Sequence, residues 1–450
     1  MVVSRLAAVE TDVAILRDNL TFRNGTKAKN RLLKAAMTER LSSYVRGDDK
    51  KTGIPPQKLI NLYDKWAHGG YGIILTGNVV VDPRHLESAG NVTICAEGTT
   101  TEKTELLRTW AAYAKRDRTL AVVQLSHAGR QTPAPVYDTP FSASDVQLTA
   151  IRRYSGFGKP VPLTVEQIKT EVIDRFTYAA KQCYDAGFSG VQLHGAHGYL
   201  LSQFVSPTTN KRIDKYGGSI ENRVRIIVEI YESIRKVIPA ETGFLVGLKM
   251  NSAEFQEGGL NLDDAKVMGE IVEKTGFDFV ELSGGTIEKL AFGHLRESTV
   301  AREAFFLEFA KEIRPVFKET VVYLTGGFRT AYGMVEAIKD NATDGIGLGR
   351  PTAAEPDFGY KILKSYALSA ADSKLDQNDF GVTNLAANTQ MEQLGRTTVD
   401  EVLPNLTERV SDFSDEKTAQ RYLEAVKKYG SDLKALVEAG GVVTGVLEFD

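Results

Sequence analysis

Gly190-Val191-Gln192-Leu193-His194 is a short apolar run that ends in an imidazole, and Gly195-Ala196-His197-Gly198-Tyr199 follows it directly. Short apolar runs bounded by glycine-rich or polar segments are typical of buried parallel strands. The run therefore predicts a strand whose carboxyl end carries three polar rings. Imidazoles and phenols donate hydrogen bonds, and such rings can also supply a proton, so they predict a functional site at that end.

Seven further apolar runs recur along the chain, with longer amphipathic segments between them, which is typical of βα units around a parallel sheet. The eight predicted strands are Arg31 to Ala36, Gly72 to Gly77, Leu120 to Leu125, Gly190 to His194, Phe244 to Met250, Asp278 to Ser283, Val321 to Thr325 and Asp344 to Gly349. Helix starts lie between them, at the capping box Thr164-Val165-Glu166-Gln167 and at Ser219. Eight such units predict an α/β protein with a (β/α)8 barrel.

The structural alternative is a doubly wound sheet that binds dinucleotides. That fold places GxGxxG between its first strand and the following helix. Here Gly345-Ile346-Gly347-Leu348-Gly349 comes late in the chain and has a different spacing. The barrel is therefore the better prediction.

Two regions fall outside the βα pattern. Residues Gln131 to Pro162, rich in Pro, Ser and aromatic residues, are too long for a plain connector, and we expect this lid segment to cover part of the catalytic face. After Asp372 a polar stretch precedes helical signals at Lys417 to Lys428 and Asp432 to Glu438. We therefore predict a barrel over residues 1–370 and a helical C-terminal extension over 371–450, which packs on the barrel or on a partner subunit.

Composition narrows the class of ligand. The 450 residues are 42% hydrophobic and 25% charged with a net charge of -3, so nothing electrostatic favours nucleic acid or an anionic membrane. Cys95 and Cys183 lack CxxC spacing and supply no disulfide framework and no cysteine metal site. No stretch approaches eighteen uninterrupted apolar residues. We expect a cytoplasmic protein that binds small molecules. The sequence leaves open whether it forms a homodimer.

The carboxyl ends of barrel strands meet at one rim, so the residues there form one candidate site. They are Ala36-Met37-Thr38, Gly77, Gln124, His194, Lys249, Thr325-Gly326-Gly327 and Gly349-Arg350. Glycines after the last two strands let backbone N–H groups approach an anion, and Arg350 adds a forked donor, so this part predicts a phosphate site. The alternative is a tight turn with a structural ion pair.

Single polar residues at this rim leave alternatives open. Lys249 interrupts an apolar strand, and its spacing favours an ion pair with Glu281 over stabilisation of a negatively charged cofactor ring. Gln124 is either a satisfied polar residue at the mouth or the partner of a heterocyclic amide edge. His127 serves as a loop scaffold at least as readily as a catalyst.

A metal site is the chemical alternative for His194 and His197. The sequence shows no third ligand near them, and no HxH closes the first strand as in metal-dependent barrel hydrolases. We therefore predict a hydrogen-bonding pair of histidines and no metal.

These motifs resemble the Old Yellow Enzyme family of FMN-dependent oxidoreductases, also called NADH:flavin oxidoreductases, especially its fungal and bacterial members. The longest shared signature runs from Leu193 to Pro207 and continues through Asn210, Arg212, Tyr216-Gly217-Gly218-Ser219 and Glu221-Asn222-Arg223. Lys29-Asn30-Arg31, Gln124 to Arg130, Thr325-Gly326-Gly327 and Gly349-Arg350 match in the same order. The resemblance covers Thr21 to Phe358 and leaves the extension outside.

The resemblance implies a role for each residue at the rim. It assigns contacts with FMN to Ala36, Met37, Thr38, Gly77, Gln124, His194, Lys249, Gly326, Gly327, Gly349 and Arg350. Thr38 would lie near flavin O4 and N5, Gln124 at the pyrimidine edge and Lys249 near N1 and O2, while the glycines and Arg350 hold the phosphate. It also implies that His194 and His197 bind the substrate oxygen and that Tyr199 donates a proton.

The implied activity is an ene-reductase with a ping-pong cycle. NADPH or NADH reduces FMN and leaves, and an α,β-unsaturated carbonyl compound then receives a hydride from flavin N5 at its β carbon and the proton of Tyr199 at its α carbon. The alternatives are a flavin-dependent oxidase or dehydrogenase on the same barrel, a metal-dependent hydrolase, and a flavin-binding protein without turnover.

Two departures from the family pattern bear on the site. Lys249 stands where many relatives have Arg, so the site offers a compact ammonium charge instead of a planar, two-pronged guanidinium. Glu39 and Arg40 stand where relatives often have apolar or aromatic residues. We therefore expect a substrate pocket that differs from theirs.

Overall fold

The chain forms a closed barrel of eight parallel strands. The computed structural model describes residues 3–152, 154–251, 254, 257–284 and 307–450. The strands are β1 Leu32–Lys34, β2 Ile73–Val80, β3 Leu120–Ser126, β4 Gly190–Gly195, β5 Leu245–Asn251, β6 Phe279–Ser283, β7 Val321–Thr325 and β8 Gly345–Leu348. Neighbours in sequence pair in parallel, and β1 also pairs with β8, which closes the barrel. The predicted (β/α)8 barrel and all eight predicted strands are confirmed.

Helices surround the barrel. They are α1 Gln57–Ala67, α2 Thr101–Ala114, α3 Asp174–Ala186, α4 Leu200–Val205, α5 Ile220–Val237, α6 Leu262–Thr275, α7 Ala331–Lys339, α8 Pro351–Ala354, α9 Phe358–Leu363, α10 Phe380–Gly395 and α11 Glu416–Glu438. Residues 307–313 are also helical. Short 3-10 turns occupy Ala14–Arg17, Arg116–Arg118, Gly129–Gln131, Ala240–Thr242 and Arg314–Val316. No helix in the described ranges combines the length and the apolar character needed to span a bilayer.

Both predicted helix starts are confirmed. The Thr164 hydroxyl accepts from the N–H of Gln167, whose side chain accepts from the N–H of Thr164, so the capping box is complete. The helix that it starts, Val165–Gln167, continues through a π-helical stretch, Ile168–Ile173, into α3. Ser219 caps α5 by accepting from the N–H of Asn222.

Apolar packing seals one end of the barrel and leaves the other polar. The larger core packs the outer faces of the strands against the helices. A smaller core fills the amino end of the interior with side chains such as Leu33, Val122 and Phe279. The antiparallel pair Leu20–Thr21 and Lys27–Ala28 closes this end. Polar side chains therefore collect at the carboxyl end, as is usual for this fold.

The C-terminal extension contacts the barrel through α10. This helix packs on α1 and α8, and Lys65 of α1 donates to the carbonyl of Leu394 while Asn61 donates to that of Gly395. The predicted signals near Lys417 and Asp432 lie in one helix, α11. The pattern does not predict α10, because a helix buried on nearly all sides shows no amphipathic periodicity. The domain boundary at residue 370 stays a prediction.

Candidate active site

His194, His197 and Tyr199 form one cluster at the end of β4. His197 and Gly198 have left-handed backbones, with φ of 61° and 78°, and the chain turns sharply there. Nδ1 of His197 then lies 3.0 Å from Nε2 of His194. Tyr199 precedes α4, and its ring centroid lies 4.6 Å from that of His194. The structure thus brings together the three side chains that the sequence singled out.

Hydrogen bonds indicate which nitrogen of each imidazole carries the proton. Nδ1 of His194 lies 2.7 Å from the amide oxygen of Asn78, so it carries the proton, and Nε2 accepts from Nδ1 of His197. Nε2 of His197 then accepts from the Ser283 hydroxyl at 2.9 Å. The Asn251 amide oxygen accepts from the backbone N–H of His197. The rings thus form one hydrogen-bonded chain in which the N–H of His197 points at His194.

All three rings are neutral near pH 7. Burial first, and then the electrostatic interaction with the neighbouring His197, hold the pKa of His194 well below its ordinary value, and burial lowers the pKa of His197 to about 3. The ammonium of Lys249 lowers both further. Burial, helped by the charge of Glu87, raises the pKa of Tyr199. The cluster therefore presents neutral donors and a protonated phenol.

Several residues of this cluster were absent from the predicted site. Asn251 and Ser283 are the last residues of β5 and β6, and Asn78 lies two residues before the end of β2, so their place near strand ends was a usable signal. Arg152 hydrogen-bonds the phenol of Tyr199 together with Asn78. Arg152 lies in the lid segment, far from Tyr199 in sequence, and no local pattern marks it.

A row of polar side chains crosses the barrel interior below the rings. Gln124 donates to Gln192 at 2.7 Å, and Gln192 donates to Glu281 at 2.9 Å. The other oxygen of Glu281 accepts from Lys249 at 2.8 Å and from Thr325 at 2.7 Å. The predicted ion pair is therefore confirmed, and it arises because Lys249 and Glu281 are register partners on β5 and β6. An ammonium has three N–H groups, so Lys249 keeps two beyond this bond.

At the predicted phosphate site, open space adjoins the positively charged side chain of Arg350. Gly327 has φ of 82°, and a Cβ added at Gly349 would meet only open space. The Arg350 guanidinium donates to the Thr383 hydroxyl of α10. A cavity of about 320 Å³ adjoins Arg350 and Arg329. Gly327 and Gly349 are not among the residues that line this cavity, so the fit to a phosphate group depends on the open backbone and the forked cation.

The rim at β1 and β2 is more crowded. Ala36, Met37 and Thr38 are half-buried, and the carbonyl of Thr38 accepts from Asn388 of α10 at 2.7 Å. The N–H of Gly77 donates to the carboxylate of Glu39 at 2.9 Å. The N–H of Gly77 is therefore already hydrogen-bonded. The Glu39 side chain is buried beneath the rim and does not project into the mouth of the barrel.

The lid segment lies against the cluster, as expected from its length and composition. Gln131 donates to the carbonyl of His197 at 2.7 Å, and Arg152 reaches Tyr199. Within the segment Phe141–Ser142 pairs with Val161–Pro162. The backbone N–H of Phe141 also donates to Nε2 of His85 at 2.9 Å, which ties the segment to the turn after β2.

Asp82, His85 and His127 lie close enough together to suggest a metal site. However, Nε2 of His85 accepts from Phe141 and Nδ1 of His127 accepts from Gly129, so the remaining nitrogen of each neutral ring carries a proton and lacks a lone pair. Arg84 also binds Asp82, at 2.6 Å. The hydrogen bonding fits a structural cluster and does not fit metal ligands, and His127 has its scaffold role here.

Comparison with known proteins agrees with this geometry. Residues 18–368 match the model of the family described as NADH:flavin oxidoreductase / NADH oxidase. The chain is 42% identical over 372 residues to the NADH-dependent flavin oxidoreductase nadA of Aspergillus parasiticus, covering 82% of each chain.

Solved structures are similar in fold. A 2-naphthoyl-CoA reductase has a TM-score of 0.71 and 20% identity, over 80% of this chain and 54% of that one. An old yellow enzyme homologue from Zymomonas mobilis has a TM-score of 0.63 and 21% identity, over 79% and 94%. At such identity the similarity shows the barrel fold alone.

Proposed function

Because this chain belongs to the NADH:flavin oxidoreductase / NADH oxidase family, we propose that it reduces the activated C=C bond of α,β-unsaturated carbonyl compounds. It is an FMN-dependent oxidoreductase of the Old Yellow Enzyme family that uses NAD(P)H. The observation that carries the finer proposal is the cluster of two neutral imidazoles and a protonated phenol above the Lys249–Glu281 pair.

The histidines bind the oxygen of the acceptor. A carbonyl oxygen between the rings takes the N–H of His197, which otherwise points at His194. If the Asn78 amide turns over, its NH2 donates to Nδ1 of His194, and Nε2 of that ring becomes a second donor. Two hydrogen bonds to the oxygen withdraw electrons from the β carbon. FMN, when bound, supplies the hydride for that carbon from N5.

Tyr199 supplies the proton to the α carbon. Its raised pKa keeps the phenol protonated at neutral pH, and its closeness to His194 supports a position beside the same acceptor. Arg152 hydrogen-bonds the phenol and opposes the rise in its pKa, which favours the phenolate as it forms. Asn78 adds to this only while its NH2 faces the phenol and its oxygen faces His194.

We propose that the remaining rim residues hold FMN. Gln124 and Lys249 meet the pyrimidine edge, where the polar row offers donors that suit ring oxygens and nitrogens. The Ala36-Met37-Thr38 backbone and Gly77 line the ring, and Gly326, Gly327, Gly349 and Arg350 take the phosphate. Since Glu39 engages the N–H of Gly77, this glycine contributes a close backbone surface rather than a hydrogen bond.

Changing His194 and His197 together to Ala removes the proposed oxygen clamp. Phenols stack on flavins and mimic an enolate, so we expect their binding to weaken at least about a hundredfold, because hydrogen bonds to a charged oxygen are among the stronger ones. The measurement is the long-wavelength absorbance that appears when a phenol is titrated into the oxidised enzyme. His68→Ala at the end of α1 is the control. Unchanged phenol binding in the double variant would refute the clamp.

Arg350→Ala tests the phosphate site. We expect FMN affinity to fall roughly ten- to a hundredfold, since a charge-assisted bond to the phosphate is lost. Thr383→Val removes the bond that orients the guanidinium, and we expect a smaller loss. FMN fluorescence released on dilution of the holoenzyme measures the affinity, and Arg108→Ala on α2 controls for net charge. Full affinity in Arg350→Ala would count against this role.

The activity itself is tested anaerobically with the NAD(P)H-reduced enzyme. We expect 2-cyclohexenone to reoxidise the flavin and to yield cyclohexanone. If enones leave the flavin reduced, while an amine or alcohol reduces the oxidised enzyme without NAD(P)H, the chain is an oxidase or dehydrogenase instead.

A further inference from the structure

A small cavity beside the active site contains buried charges. It measures about 30 Å³, which is room for roughly two water molecules. Arg40, Glu87 and Arg152 line it, together with apolar side chains of the lid segment and of the C-terminal tail, including Pro133 and Val443. Nothing in the mechanism above uses Arg40 or this cavity.

Two guanidinium nitrogens of Arg40 have no hydrogen-bond partner among the described residues. Its side chain is buried, with 2% of the residue exposed, and Nε and Nη1 have no hydrogen-bond partner in the part of the chain that the structure describes. Its backbone has φ of 63°, a conformation that is uncommon for a residue with a side chain. Burial of an unpaired cation is costly, so an anion placed beside Arg40 in this cavity would be stabilised.

The other two charges largely compensate each other. Both carboxylate oxygens of Glu87 lack a hydrogen bond within the described ranges, and Nη1 of Arg152 lies 3.5 Å from one of them. Arg152 in turn hydrogen-bonds the phenol of Tyr199. Two arginines and one glutamate leave one positive charge, that of Arg40, so the cavity favours an anion.

The cavity lies next to the reacting end of the pocket. Arg152 contributes to its wall and bonds Tyr199, so one side chain separates the cavity from the proton donor. The C-terminal tail closes it, because Thr444 forms a β-bridge with Ala89. A molecule held by His194 and His197 would reach Arg40 by passing Arg152, the side chain that stands between Tyr199 and the cavity.

We propose that this cavity binds a carboxylate carried by the acceptor, so that the physiological substrate is an unsaturated carbonyl compound with a second, anionic group. This inference rests on the proposed function. Arg40 forms the ion pair with that carboxylate, and the apolar wall contacts the chain that joins the two groups.

The test uses matched pairs of probes on the oxidised holoenzyme. 4-Hydroxybenzoate and 3-(4-hydroxyphenyl)propionate are each compared with their methyl esters, and binding is followed by the absorbance band of the phenol–flavin complex. In Arg40→Met we expect the better-bound carboxylate to lose at least about tenfold in affinity, while its ester changes less than about twofold. Arg108→Met, which removes an exposed arginine of α2, is the matched charge control.

Glu87→Gln gives an independent prediction of opposite sign. It removes the negative charge of the cavity, so we expect the carboxylate probes to bind more tightly and the esters to stay unchanged. This variant keeps the proposal falsifiable if Arg40→Met does not fold. Arg40→Lys keeps the positive charge but loses the two-pronged guanidinium, so we expect its affinity for the carboxylate probes to lie between those of Arg40→Met and the wild type.

Any one of four outcomes would overturn the proposal. Equal losses for carboxylates and esters would make Arg40 structural, and weaker carboxylate binding in Glu87→Gln would contradict the charge argument. A loss confined to flavin reduction by NADH, measured by stopped flow, would assign the anion to the phosphates of the dinucleotide. If no phenol binds to the wild type, the oxygen clamp of the proposed function fails, and this subsite fails with it.

Discussion

Tyr199→Phe slows reoxidation of the reduced flavin by 2-cyclohexenone at least about a hundredfold, which is the usual contribution of a positioned general acid. Flavin reduction by NAD(P)H should change by less than about twofold, because that half-reaction transfers a hydride and needs no proton from the phenol. Anaerobic stopped-flow absorbance of the flavin measures the two half-reactions separately. The split between them is the signature of proton donation to the α carbon.

The matched control is Tyr231→Phe. Tyr199 and Tyr231 are both 8% exposed, and the hydroxyl of Tyr231 donates to the carbonyl of Gly276, away from the mouth of the barrel. This control removes an equally buried phenol hydroxyl and should leave both half-reactions unchanged. An equal loss in the two half-reactions of Tyr199→Phe would show that the residue shapes the pocket and does not donate the proton.

Glu281→Ala destabilises the protein by about 3–5 kcal/mol, because it leaves the buried ammonium of Lys249 without its counter-charge. Gln192 and Thr325 lose an acceptor in the same change. The measurement is urea unfolding followed by circular dichroism at saturating FMN. The exposed pair of Glu105 and Arg108 on α2 provides the comparison, since Glu105→Ala should have little effect.

A double variant separates lost pairing from lost packing. In Lys249→Met with Glu281→Leu both charges are gone, so most of the stability should return even though the ion pair is absent. If Glu281→Ala unfolds at nearly the wild-type urea concentration, the Lys249–Glu281 pair is not essential to the barrel interior. Loss of FMN affinity in a stable double variant would instead support contact between Lys249 and the flavin.

The strands were predictable because each is a local pattern. A run such as Phe244 to Met250 is apolar over the length of one strand except at Lys249, and its flanks break that pattern, so neither neighbour nor partner is needed to recognise it. Parallel order then places the strand ends at one rim, which brings His194 and Lys249 together from separate runs. Boundaries were less exact, since β2 continues to Val80 and β5 to Asn251.

The partners of the site were harder to predict because they come from distant parts of the chain. Arg152 belongs to an irregular segment, and Asn388 reaches Thr38 from 350 residues away. Which nitrogen of His194 carries a proton depends on Asn78, not on the histidine's own neighbours in sequence. The family resemblance stops before α10, so it assigns no role to Asn388 or Thr383.

By itself the sequence determined the eight strands, the rim on which their ends meet and the identity of the three rings after β4, because periodicity and strand order are local or topological properties. Only the tertiary structure decided that the two histidines face each other, that Lys249 is paired with Glu281 rather than free, and that buried Nε and Nη1 of Arg40 find no partner among the residues that the structure describes. Those outcomes depend on burial and on through-space distances between side chains, which no linear spacing encodes.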